Sequence, residues 1–496
     1  MDSAMTFHIN YINASYCQVD TNQDILLELI ADYTFRIDGW KFHPMVKAGR
    51  WDGIIRCVYR NGMVPTGLVP EVIKWAQERN QQISLSPEFS LFKSKIDFNE
   101  RDLNLPFPLR DYQSEAIQLA LAKKRQTLLL ATSAGKSAVI YALARVYEQI
   151  GLKTLVIVPN VSLISQIESD FKIYSKLNGY DVNGNCHFIS AGINKHTEKR
   201  IVCSTWQSLQ ALLKTEQGIE SLKVYDAIIC DEVHLASATV IGKLMNAATN
   251  AFCRIGLSGT LDNSKTNHKT ITGLFGPIRK IVGAKELMDA GHVTRAIIKP
   301  IILKYDASTC NAVSGLPYND ELDVIVRHIR RNKFLVEFAN GLNGNSLFLF
   351  RFVDKHAELI KFAIERKYPD KKVHIVTKNT PKVKREELRA LIEKSTNNVI
   401  ISTYALFSTG VSINNLDNVV FASPTASSVK VLQSIGRSLR KHEGKSIATI
   451  YDIVDDMRAP KQKPNHLYKH YTARLATYKK EQFDVSVINL EFGKKS

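Results

Sequence analysis

From residue 109 to 296, short apolar runs alternate with stretches of helical period. The runs 127–132, 154–159, 200–205, 227–232 and 254–259 are mostly uninterrupted by polar positions and read as strands. The alternation resumes beyond 297, with strand candidates at 346–352, 373–377, 398–403, 418–422 and 447–453. A continuous apolar run has no solvent face, so each predicted strand belongs in a parallel sheet covered on both sides by helices. Two such blocks in series predict two α/β lobes with a cleft between them. Residues 305–333 read as the segment crossing from one to the other; they include Gly315-Leu316-Pro317 and the basic run Arg327-His328-Ile329-Arg330-Arg331.

The first hundred residues are patterned differently. Ile25, Leu26, Leu29 and Ile30 predict a short helix over 24–33, and Asn61-Gly62 after the run 54–60 predicts a hairpin turn. A small α+β domain is expected over 1–105, with a linker near 99–108. The lobes then span 106–296 and 297–457, and a basic, partly helical extension covers 458–496. The motifs below all begin at Arg110, so the first lobe is expected to stand without the small domain.

At 496 residues the chain can build several independent cores. Its apolar runs stop short of the roughly 18 to 20 residues that a membrane span requires. No charged start followed by an apolar stretch opens the chain, and the seven cysteines form no Cys-x-x-Cys pair. These features predict a reducing cytoplasm and argue against a zinc or disulfide framework. The net charge of +18 is uneven: −2 over 1–105, +7 on each lobe and +6 over 458–496. A polyanionic partner fits a basic excess on the lobes and tail.

Chemistry is concentrated at the strand ends. The run Leu128-Leu129-Leu130-Ala131 leads into Thr132-Ser133-Ala134-Gly135-Lys136-Ser137, and a helical stretch, 138–147, follows. A small-residue turn between strand and helix turns backbone N–H groups toward phosphates. Lys136 suits the β and γ oxygens and Ser137 a magnesium ion. Leu130 stands where a full Walker A sequence has glycine. A second run, Ala227-Ile228-Ile229-Cys230, ends in Asp231-Glu232. Adjacent acids at a buried strand end are costly without a cation. Asp231 is therefore expected to reach the metal, directly or through water, and Glu232 to polarise a water; capping of a helix is the plainer alternative. Gln433, Arg437 and Arg440 are three or four apart and would share one helix face, where arginines can stabilise charge on a transferring phosphoryl group. A solvated basic helix is the alternative there.

Arg110-Asp111-Tyr112-Gln113, the phosphate loop, Asp231-Glu232-Val233-His234, Ser258-Gly259-Thr260, Ser408-Thr409-Gly410-Val411-Ser412 and the stretch 433–440 occur in this order. Together they resemble a superfamily 2 helicase of the DExH type. Gly49-Arg50-Trp51-Asp52-Gly53, Ser204-Thr205-Trp206-Gln207 and Val431-Leu432-Gln433-Ser434 extend the resemblance to the UvsW helicases of T-even-like bacteriophages. Leu130, Ser133 and Val233 depart from many superfamily members without removing a chemical group that hydrolysis needs.

The resemblance implies two tandem RecA-like parallel-sheet domains behind the small α+β domain, with ATP and Mg2+ as cofactors. Gln113 would read the adenine edge, with Tyr112 or Arg110 nearby, and Gly410 would approach the nucleotide from the second lobe. Ser258 and Thr260 would couple hydrolysis to movement. Gln166, Thr205, Trp206, Phe407 and Thr409 would lie along the nucleic acid, although Trp206 could equally be a core aromatic. The implied partner is branched DNA — junctions, stalled forks and R-loops — acted on by a monomer in the host cytoplasm. The motifs leave open an RNA-directed helicase, a duplex translocase that separates no strands, and a binding protein with a relic ATP site.

One further cluster lies in the small domain. Arg36, Lys41, Lys47, Arg50, Arg56 and Arg60 interleave with Trp40, Phe42, Trp51 and Tyr59, against only Asp38 and Asp52. Cations between aromatics suit contact with nucleic-acid backbone and bases. At least one of Trp40 and Trp51 is expected in the small domain's core.

Overall fold

The computed structural model describes residues 6–189, 197–235, 239–262, 264–409, 413–442, 445–458 and 464–492. The chain divides into two compact units, 1–130 with 135–282, and 131–134 with 283–496. The second unit thus starts at Gly283, ahead of the boundary at 297 that the sequence suggests.

The first unit holds a seven-stranded sheet, every pairing of which is parallel. Across it run Ile278–Val282, Arg125–Leu130, Cys253–Ser258, Ala227–Asp231, Thr154–Val158, Ile201–Thr205 and Cys186–Ile189. The five central strands are the five apolar runs of the sequence. The two edge strands carry no such run, because Arg279 and Lys280 interrupt Ile278–Val282 and Cys186–Ile189 has only four positions. An edge strand with one wetted face does not need continuous apolarity.

The second unit repeats this plan in an eight-stranded sheet. Its order is Val373–Val376, Val399–Thr403, Ser346–Phe350, Asn418–Phe421, Ile447–Asp456, Arg295–Lys304 and Asp484–Val485, with Ile488–Glu491 also on Arg295–Lys304. Residues 305–333 are not a crossing segment. They form the helices Ala307–Val313 and Tyr318–Arg327 and begin Ile329–Gly341, and Cys310, Val313, Leu322 and Ile325 are buried in this unit's core. Arg331, in the basic run 327–331, is fully buried, and its guanidinium clasps the Asp455 carboxylate at 2.7 and 3.1 Å. The tail from 458 is partly helical, as its sequence suggests. Its helix His466–Lys480 buries Arg474 against Asp452, with donor distances of 2.9 and 2.8 Å.

The small domain is a mixed four-stranded sheet, Met63–Pro65, Tyr16–Asp20, Phe7–Tyr11 and Ile83–Leu85, with the helix Gln23–Asp32. The Asn61-Gly62 turn exists, with Gly62 at φ +80°, and is closed by Tyr59 N donating to Met63 O at 2.9 Å, but the strands beyond it part. Ile54–Arg56 pairs instead with Thr34–Arg36, and Met63–Pro65 with Tyr16–Asp20. Neither Trp40 nor Trp51 enters the core, where the buried indole is Trp75. Trp51 is part-exposed and donates to Ile54 O at 3.1 Å.

This domain is fastened to the first lobe through buried arginines. Arg254 lies fully buried and donates to Ala251 O at 2.8 Å, to Ala248 O at 2.9 Å and to Ser15 Oγ at 2.9 Å. Arg125 donates to Ala14 O, and Ala14 N donates to Thr249 O at 2.9 Å. Burial lowers the affinity of both guanidiniums for their protons, Arg125 to about 10. Glu71 forms an ion pair with Lys269 across the same junction. Gly67 comes so close to the lobe that a Cβ there would sit 2.1 Å from Thr272 O. The small domain thus supplies one acceptor to each of two buried arginines of the first lobe, Ala14 O to Arg125 and Ser15 Oγ to Arg254.

Gly67→Val should open this junction. Overpacking of this kind costs about 1 to 3 kcal/mol, so the thermal unfolding midpoint should fall. A chain lacking residues 1–105 should unfold at a still lower temperature or fail to stay soluble. An unshifted midpoint in both would show that the junction contributes nothing to the lobe's stability.

Candidate nucleotide site and nucleic-acid surfaces

Parallel strands all end at the same edge of a sheet, so loops from distant parts of the sequence meet there. In the first lobe three neighbouring strands, Arg125–Leu130, Cys253–Ser258 and Ala227–Asp231, deliver the phosphate loop, Ser258 and the acid pair to one place.

The loop turns through two residues in the left-handed region, Ser133 at φ +70° and Gly135 at φ +78°. Gly135 is required twice over, since a Cβ there would also lie 2.5 Å from Gln113 Nε2. Lys136 opens the helix Lys136–Gln149, whose first turn has no side-chain cap. Its leading N–H groups are the kind of donors that an anion completes. Gln113 braces the loop: Nε2 donates to Gly135 O at 3.3 Å and Oε1 accepts from Arg110 N at 3.0 Å. Tyr112 OH accepts from Arg110 Nη1 at 2.7 Å.

The acid pair is crowded. Glu232 sits at φ +54°, a costly backbone for a residue with a side chain, and its N–H donates to Asp231 Oδ1 at 2.9 Å. Lys136 Nζ lies 3.7 Å from Glu232 Oε1. His234 Nδ1 is 3.3 Å from Glu232 Oε2 and 3.1 Å from Ser258 Oγ, which donates to Thr260 O at 2.8 Å. Burial, and then the negative charge of Glu232, push the Asp231 carboxyl up to about 6. His234 is the member that sequence reasoning quoted without assigning it a role; its position two residues after Glu232 was the available signal.

The residues fit a hard divalent cation. Asp231 is a carboxylate whose ionisation is opposed by its surroundings, and Ser137 offers a hydroxyl, now 2.7 Å from Tyr174 OH. Among the described residues no group of three or more His, Cys, Asp or Glu side chains gathers at one point.

In the second unit Gln433 is buried and Arg437 part-exposed on the helix Ser428–Ser438. Arg440 does not share that helix face. The helix ends at Ser438 with Leu439 as its cap, and Arg440 lies just past the end. Gly410 falls outside the described residues, as does the side chain of Thr409, which ends the helix Tyr404–Thr409.

Two nucleic-acid expectations need correction. Phe407 is fully buried, so its ring is closed to a base. Thr205 is also buried, its Oγ1 occupied as a helix cap that accepts from Ser208 N at 3.1 Å. Gln166 is exposed on the helix Val161–Tyr174. Trp206 is part-buried and packs against the lobe's core, which favours the core reading. The small domain's cluster is the opposite case. Phe42 is 78% exposed, Lys47 Nζ lies 5.8 Å from its ring centre, Arg36 stacks 4.3 Å over Trp40, and Arg50 is exposed.

Comparison with known proteins agrees with this geometry. Residues 106–263 match the family model of the type III restriction enzyme res subunit, 6–86 that of the N-terminal domain of DNA helicase UvsW, and 330–442 that of the helicase conserved C-terminal domain. The chain is 30% identical over 514 aligned residues to the ATP-dependent DNA helicase UvsW of Enterobacteria phage T4, covering 98% of this chain and 100% of the relative. The crystal structure of T4 UvsW, 28% identical, covers 98% of this chain and 100% of that one with a TM-score of 0.49. The ATP-dependent Type ISP restriction-modification enzyme LlaBIII, solved bound to DNA, shares the fold: TM-score 0.59, 16% identity, 85% of this chain and 34% of that one.

The raised affinity of Asp231 for a proton sets a sign. The folded chain holds that proton more tightly than the unfolded chain, so the ionised form costs stability that grows from about pH 4 to about pH 6 and stays in full above. Asp231→Asn should thus raise the unfolding midpoint of the nucleotide-free protein at pH 7.5, by about 2 kcal/mol in stability, while abolishing turnover. The gain should vanish near pH 4. A midpoint that falls at pH 7.5 would show that the carboxylate is stabilised by partners rather than opposed.

Proposed function

The chain belongs to the UvsW family of ATP-dependent DNA helicases, and from that membership we propose that it uses ATP and Mg2+ to drive its lobes along branched DNA: junctions, stalled forks and R-loops. One observation carries the catalytic part of this reading: neighbouring strand ends bring Lys136, Asp231 and Glu232 together beside an uncapped helix N-terminus.

In this reading the N–H groups of 132–137 cradle the β and γ phosphates, and the Lys136 ammonium neutralises their oxygens as charge shifts to the leaving group. When bound, Mg2+, held through Ser137 and Asp231, would supply further neutralisation of phosphate charge. Glu232 is the general base. Phosphate would draw Lys136 toward itself, leaving the Glu232 carboxylate to orient and deprotonate the attacking water. His234 and Ser258, both touching Glu232, report the state of that carboxylate to the strand end at Thr260. Family membership supports Gln433, Arg437 and Arg440 as the residues that stabilise phosphoryl charge from the second lobe, Gln113 and Tyr112 as the adenine contacts, and Gly410 as a nucleotide neighbour.

For the track, Gln166, the rim of Trp206 and Thr409 remain the contacts proposed on the lobes. The exposed tip of the small domain, with Lys41, Phe42, Lys47 and Arg50, is proposed to hold a second DNA arm. The deciding experiment is ATP-dependent unwinding of a four-way junction, a fork, an R-loop, a linear duplex and an RNA duplex. Preference for the branched DNA substrates supports the reading; equal action on linear duplex or a preference for RNA overturns it.

Arg440→Ala should reduce turnover by on the order of 10³ while ATP affinity changes little. Unchanged DNA-stimulated turnover would remove Arg440 from the site. Replacing Lys41, Lys47 and Arg50 with Gln should flatten the slope of log affinity against log salt for a junction, by about 0.7 to 0.9 for each phosphate that the tip no longer neutralises. An unaltered slope would exclude the tip as a DNA-binding element.

A further inference from the structure

The last carbonyls of a helix lack intrahelical donors and are usually met by water, a glycine turn or an exposed cation. The helix Ser428–Ser438, which carries Arg437, ends differently. Lys445, largely buried, reaches back to donate to Ser438 O and, at 3.4 Å, to Arg440 O. Thr294 N donates to Leu439 O at 2.7 Å, and Thr294 Oγ1 to Arg440 O at 3.4 Å. Three consecutive carbonyls, 438 to 440, are thus held by interior donors. The third donation of the same ammonium goes elsewhere, to Asn414 O at 3.0 Å. Asn414 is anchored in turn, its N–H donating to Glu393 Oε1 at 2.7 Å, and Glu393 Oε2 is 3.5 Å from His442 Nε2.

We propose that Lys445 is a positioning residue for ATP hydrolysis: its ammonium pins the segment 438–440 to the backbone at Asn414, and so fixes where Arg440 can reach. This rests on the reading above that Arg440 acts on the phosphoryl group. A buried ammonium is an expensive fastener. Among the described residues no carboxylate lies within ion-pair distance of it, and its three acceptors are main-chain oxygens. A packing role alone would be met as well by an apolar side chain, whereas main-chain acceptors fix the path of the backbone. The choice of segment is equally specific: 438–440 joins the two arginines, and 413–416 follows directly on Ser408–Ser412. Burial brings the ammonium down to about 8, with the Asp417 and Glu393 carboxylates opposing the shift. The fastener is then fully charged below that pH and loses its proton above it.

The test uses the full chain with saturating DNA. Lys445→Met should lower kcat at least tenfold with KM for ATP within about twofold, and Lys445→Arg, which keeps charge and donors, should recover much of the loss. Should Lys445→Met not fold, Lys445→Gln takes its place, its amide reaching at most two of the carbonyls. In the natural chain kcat should decline from pH 8 to 10, and in Lys445→Arg it should stay level. An effect transmitted through Arg440 is not multiplicative, so adding Lys445→Met to Arg440→Ala should change kcat less than twofold further. Full kcat in Lys445→Met and Lys445→Gln, or multiplicative losses in the double variant, would overturn the proposal. If Arg440→Ala alone keeps full kcat, the arginine reading itself fails and the proposal falls with it. A crippled Arg440→Ala beside a normal Lys445→Met would sink the positioning role alone.

Discussion

Two carboxylates in adjacent positions at the end of a buried strand, with one lysine beside them, set the terms for the first lobe. Asp231 and Glu232 repel each other, and burial opposes the ionisation of Asp231. Lys136 Nζ at 3.7 Å offsets part of that charge. The backbone is strained at the same place, with Glu232 and Ser133 both in the left-handed region. Strain and excess negative charge at one point are tolerable only where the surrounding sheet holds them.

Buried cations are handled in two ways along the chain. In the second unit the two buried arginines are matched: Arg331 with Asp455, which also accepts from Tyr305 OH at 2.7 Å, and Arg474 with Asp452, which accepts from Tyr478 OH at 2.9 Å. Pairs of this kind are hard to break, because removing either partner leaves a naked charge. In the first lobe Arg125 and Arg254 donate to carbonyls and a hydroxyl, several of them in the small domain. The second unit closes its charges within itself, and the first lobe closes them with the help of residues 14 and 15.

The same economy explains the exposed cluster at 36–56. None of residues 37–53 belongs to the small domain's core, so Phe42 and its neighbouring cations are held by local turns and ring contacts alone.

The sequence alone determined the two parallel sheets and the order of the chemical groups at their ends. A strand buried on both faces must be apolar throughout, and a phosphate loop must follow it at a fixed spacing. Both are local constraints, written in fewer than a dozen consecutive residues. The first lobe's two edge strands escaped because one wet face relaxes that rule. The tertiary structure decided the rest, because it depends on pairs far apart. Arg331 looks like surface until Asp455, 124 residues on, neutralises it, and Arg125 until the carbonyl of Ala14, 111 residues back, accepts from it. Phe407 and Thr205 stand within motifs, yet one fills the core and the other caps a helix. Lys445 follows Gly444 in a stretch that reads as a polar loop, and only folding brings Asn414, Ser438 and Arg440 around its ammonium. A charged side chain's place is set by the partner that makes its burial affordable, and local sequence does not name that partner.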